Sequence, residues 1–94
     1  MCAALIGGMD RLKRDYMRAA KDGGVTLRCF NGSERGIADQ LGSPDMLIIF
    51  TNMVSHEARK KALAVAKNRN IPLHMLHSCG VSSLRDCLEK NTRT

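Results

Sequence analysis

Four times within 94 residues a short apolar run gives way to a stretch with helical spacing, and this succession leaves few architectures open. Ala3–Ile6 is closed by Gly7-Gly8, and the following Arg11–Lys21 sets Leu12, Tyr16, Ala19 and Ala20 on one face. Asp22-Gly23-Gly24 stops that helix, Val25–Phe30 reads as a second strand, and Asn31-Gly32 turns out of it. Ser33 is placed to cap a weaker helix carrying Ile37, Ala38 and Leu41, which Gly42-Ser43-Pro44 ends. Met46–Phe50 is apolar without a break, as a strand covered on both faces must be, and is expected at the centre.

The second half repeats the design. The helix expected over Ser55–Asn68 buries Ala58, Ala62, Val65 and Ala66 and exposes Arg59, Lys60, Lys61 and Lys67. A fourth strand spans Ile71–Leu76, with Pro72 near its start, where proline suits a strand beginning or an edge. Ser83 with Asp86 three residues later has the pattern of a capping box for a last helix that buries Leu84, Cys87 and Leu88, while Asn91–Thr94 is expected to fray. Strand-then-helix units in succession require parallel strands and right-handed crossovers. The expectation is one α/β domain over residues 1–94, its ordered core over 3–90: a small doubly wound four-stranded parallel sheet of order 2-1-3-4, Rossmann-like or flavodoxin-like, with four helices.

That order reverses direction between strands 1 and 3, and ligands of open α/β sheets bind at such a reversal, beyond the carboxyl ends of the strands. Gly7, Gly8 and Asp10 follow strand 1, Thr51 and Asn52 follow strand 3, and Ser55 and His56 open the third helix. Ser82 and Ser83 open the fourth. Free amides at helix starts attract anions, hydroxyls donate to phosphate or carboxylate, and glycine permits close approach of backbone. The same serines cap helices with no ligand present. Gly7-Gly8-Met9-Asp10 fits neither G-x-G-x-x-G nor G-x-x-x-x-G-K-[ST], so a standard dinucleotide or nucleoside-triphosphate loop is not supported.

The chain resembles a bacterial family catalogued as domain of unknown function 2325. The resemblance spans nearly the whole chain and rests on Ile6-Gly7-Gly8, Tyr16, Asp45, Thr51-x-x-Val54-Ser55-His56, Lys60, Lys67, Ile71-Pro72 and Ser78-x-x-x-Ser82-Ser83-Leu84. It implies the small α/β fold and the strand-end site; that family brings no established activity with it.

Three functional readings follow. The first is a non-enzymatic binding or sensing domain for a small anionic, phosphorylated or nucleotide-like molecule, held by Gly7, Gly8, Asp10, Thr51, Asn52, Ser55, His56, Ser82 and Ser83. In the second, His56, His77 and Cys79 grip a transition metal or haem as a redox or iron sensor, with Met9, Met53 and Val54 as the apolar wall a haem needs. The third makes Cys79 a nucleophile with His77 or His56 as base. Cys29 and Cys87 read as packing residues, and the four cysteines form no C-x-x-C pair.

The net charge of +6 and pI near 9.6 favour anionic partners. Nucleic acid would require the basic residues of the first helix (Arg11, Lys13, Arg14, Arg18, Lys21) and of the third (Arg59, Lys60, Lys61, Lys67, Arg69) to merge into one surface, and no reader motif accompanies them. Met1–Gly8 lacks the basic leader and length of a secretory signal, and no apolar run approaches the roughly 20 residues that span a bilayer, so a cytoplasmic location with reduced thiols and no membrane partner is expected. A chain this short buries only about 60–65% of its unfolded surface. Two open sheet edges and that thin core lead to the expectation of a homodimer.

Overall fold

The computed structural model describes residues 1–31 and 35–92. Four parallel strands, β1 (Cys2–Ile6), β2 (Thr26–Phe30), β3 (Met46–Phe50) and β4 (Leu73–Leu76), lie in the order β2-β1-β3-β4. Between and after them run α1 (Lys13–Asp22, entered through a 3₁₀ turn at Asp10–Leu12), α2 (Ile37–Leu41), α3 (His56–Arg69) and α4 (Val81–Thr92). The expected α/β architecture and strand order are those observed.

Alternation along the central strands feeds two cores. Ala3, Leu5, Met46, Ile48 and Phe50 point to a front layer closed by Tyr16 and Ala20 of α1 and Leu84, Cys87 and Leu88 of α4. Ala4, Ile6, Leu47 and Ile49 point to a back layer closed by Ile37 and Leu41 of α2 and Ala58, Ala62, Val65 and Ala66 of α3. Every residue of β3 is therefore buried, as its unbroken apolar sequence requires. Asp45 clips the two middle strands together, its amide donating to Cys2 O at 2.7 Å and its Oδ2 accepting from Cys2 N at 2.7 Å.

Several boundaries differ from the sequence expectations. The α4 helix starts at Val81, with Leu84 N–H bonded to the Gly80 carbonyl at 3.3 Å, so Ser83 lies inside the first turn and does not cap it. At the other end Asn91 belongs to the helix, its Nδ2 donating to Cys87 O at 2.7 Å, where fraying was expected. The residue preceding α2 is Gly36, at φ +67°; the expected cap Ser33 falls outside the described residues. No helix among the described residues is long and apolar enough to cross a membrane.

Candidate functional site

The carboxyl ends of the strands carry every candidate residue, but the reversal between β1 and β3 is closed by backbone. Gly7 and Gly8 adopt φ of +89° and +90°, a region glycine enters without penalty. Gly7 N–H donates to Phe30 O at 2.9 Å and Gly8 N–H to Met53 O at 3.1 Å, which zips the turn after β1 to its neighbours on both sides. A Cβ on Gly7 would stand 2.6 Å from Met53 O, and one on Gly8 2.8 Å from the Phe50 ring. The close approach that these glycines permit is here to the loop after β3, and both amides donate to backbone carbonyls. Asp10 opens the 3₁₀ turn as an exposed first-turn acid.

Behind the turn, Tyr16 is 1% exposed and packs its ring against Phe50 at 5.3 Å between centroids. Its hydroxyl accepts from Met9 N–H at 3.4 Å and donates to the Cys79 carbonyl oxygen, so one side chain of α1 holds the loops after β1 and β4. Burial pushes this hydroxyl above the ordinary tyrosine value, with the Met9 amide opposing the shift. In the sequence Tyr16 stands on the apolar face of the first helix; a buried tyrosine needs a partner for its hydroxyl, and that requirement is the signal that points to its second role.

The ends of β3 and β4 are tied separately. Thr51 N–H donates to Leu76 O at 2.9 Å, and Thr51 Oγ1 lies 3.3 Å from the same oxygen and 3.1 Å from His77 Nδ1. On the segments that follow β3 and β4, Asn52, Ser55, His56, His77, Ser78 and Ser82 are exposed, and Ser83 is half-buried. Ser55 is the N-cap of α3, its Oγ accepting from Ala58 N–H at 3.1 Å. His56 is the first residue of that helix.

The proposed metal set is not assembled: among the described residues no group of three His, Cys, Asp or Glu stands close enough to hold a metal ion. Position explains it, because His56 starts a helix on the back layer while His77 and Cys79 lie on the loop that leads to the front layer. Cys79 is half-buried against the front core. Burial raises the thiols of Cys29 and Cys87 above their ordinary value, against a smaller opposing effect of Lys13 on the first and of Asn91 and Lys90 on the second, in keeping with packing roles. The basic helices α1 and α3 occupy opposite layers.

A family model described as "Uncharacterized protein conserved in bacteria (DUF2325)" matches residues 2–91. The chain belongs to this family. DUF2325 thus covers all four strands and all but the last residue of α4. No curated protein and no solved structure matches the chain.

Proposed function

We propose that this DUF2325 domain is a non-enzymatic binding or sensing module for a small anionic molecule, phosphorylated or nucleotide-like, taken at the ends of β3 and β4. The observation that carries the reading is the Thr51–His77 contact. With the threonine proton directed to Nδ1, the shorter of its two contacts, the imidazole proton sits on Nε2 as a donor for a ligand. The exposed side chains of Asn52 and His56, after β3, and of Ser82, after β4, are further donors on the segments that follow these strands, and the first-turn amides of α3 and α4 favour negative charge. The net charge of +6 acts in the same direction. Gly7 and Gly8 serve this site indirectly, by fixing the loop after β3.

Calorimetric titration with inorganic phosphate, nucleoside phosphates and sugar phosphates tests the reading. Saturable binding to one class is expected, weakened about tenfold by His77→Ala or Thr51→Val, the cost of one hydrogen bond to a charged group. A panel without saturable binding, or binding indifferent to His77→Ala and His56→Ala alike, overturns it.

A further inference from the structure

The two sheet edges are protected unequally. In the parallel ladder Leu47 N–H bonds to Pro72 O at 2.8 Å and Thr51 N–H to Leu76 O at 2.9 Å. Residues 72, 74 and 76 therefore turn their backbone groups toward β3, and Leu73 and Met75 turn theirs to the open side. The missing N–H of Pro72 faces inward, so this proline does not blunt the open side of the strand. Natural edges are usually blunted by charge, proline or a bulge. Strand β4 reads Leu-His-Met-Leu with none of these, and Met75 is 38% exposed. The other edge strand, β2, carries exposed Arg28, its guanidinium over the Phe30 ring at 5.2 Å.

Alongside β4 an open groove of about 490 Å³ is shared with α4, whose Asp86, Cys87 and Lys90 line it. Asp86 and Lys90 are both exposed and stand one helical turn apart. An opposite-charge pair so placed is self-complementary under a two-fold axis, because antiparallel copies of α4 set each acid against the other's base.

We propose that the β4–α4 edge is the interface for a second copy of this chain. Two β4 strands pair antiparallel about Met75, whose outward N–H and C=O bond to the partner's Met75 and continue the sheet to eight strands. Asp86 then meets the partner's Lys90 across the flanking helices, and Leu73 and Leu76 gain cover that one chain cannot supply. The inference is independent of the anion site.

Sedimentation equilibrium of the purified chain, from micromolar to near-millimolar concentration, is expected to give twice the 10.3 kDa of one chain. Met75→Lys sets two like charges at the axis and should yield a folded monomer, with folding checked by circular dichroism. Asp86→Lys and Lys90→Asp, both at exposed positions, should each weaken association at least about tenfold, and the doubly swapped chain should recover it. A wild-type monomer across the range overturns the proposal, as does a dimer that Met75→Lys leaves intact. Single swaps without effect, or a double swap that fails to recover association, remove the α4 part of the interface.

Discussion

Tyr16 donates its hydroxyl to the carbonyl oxygen of Cys79, which joins α1 to a loop 63 residues away. Because the Tyr16 hydroxyl oxygen also accepts from Met9 N–H, removing the hydroxyl takes a partner from a donor and an acceptor at once. Both belong to half-buried residues, so Tyr16→Phe, which keeps the ring against Phe50, is expected to cost about 1–2 kcal/mol. Urea unfolding should show a lower midpoint at constant slope; an unchanged midpoint would remove the hydroxyl from the account.

The glycines separate two kinds of cost. At Gly24, φ is +79° and an added Cβ meets nothing within 4 Å, so Gly24→Ala carries only backbone strain of about 1–2 kcal/mol. At Gly7 the same strain is joined by a 2.6 Å approach to the Met53 carbonyl, which is backbone and cannot swing aside. Gly7→Ala is expected to lose on the order of 4 kcal/mol. Equal denaturation midpoints for the two variants would contradict the close packing of the β1 and β3 loops.

Two serines, each expected at a helix entrance, should behave differently. Ser55→Ala removes the cap on Ala58 N–H and is expected to cost about 1 kcal/mol. Ser83→Ala, inside the first turn of α4, should stay within about 0.5 kcal/mol of wild type, since alanine is the better helix former. Thermal midpoints of the two variants check the ordering.

Stability should fall on the alkaline side. Cys29 and Cys87 have folded values raised by burial above the ordinary 9.0, and Tyr16 is raised above 10.0. A raised group holds its proton more tightly when folded, so its contribution is full below the unfolded value and is lost as pH rises past it. The urea midpoint should therefore show no decline from these three groups up to about pH 8, then drop as pH passes the unfolded thiol and phenol values in turn. Cys29→Ser together with Cys87→Ser should remove the first part of the drop. A midpoint that does not decline between pH 8 and 11, the range spanning those values, would contradict the burial argument.

These contrasts also mark what sequence could tell. Met46–Phe50 announces a central strand because five consecutive apolar residues need cover on both faces, and Ser55 announces a helix start because its hydroxyl has an amide to satisfy. Parallel strands follow from the strand-then-helix succession, whereas 2-1-3-4 is one doubly wound choice among the orders that right-handed crossovers allow. Gly7-Gly8 was visible as a turn, but sequence does not say whether the space a glycine leaves is filled by ligand or by chain; here Met53 and Phe50 fill it. Ser83 misled because Ser-x-x-Asp looks the same whether the helix begins there or two residues earlier, and only the Gly80–Leu84 bond decides. The Thr51–His77 contact joins residues 26 apart and depends on strand register, which composition does not encode.

The position of β1 between β2 and β3 has a consequence for the order of assembly. β1 and β2 are joined by a local crossover through α1, yet the far side of β1 pairs only with Met46–Phe50, some forty residues onward. During synthesis the first half of the chain thus carries a fully apolar strand with one side uncovered until the third strand is complete. Non-local parallel pairing of this kind is slow and aggregation-exposed, so β3 is the step that commits the nascent chain to its native sheet.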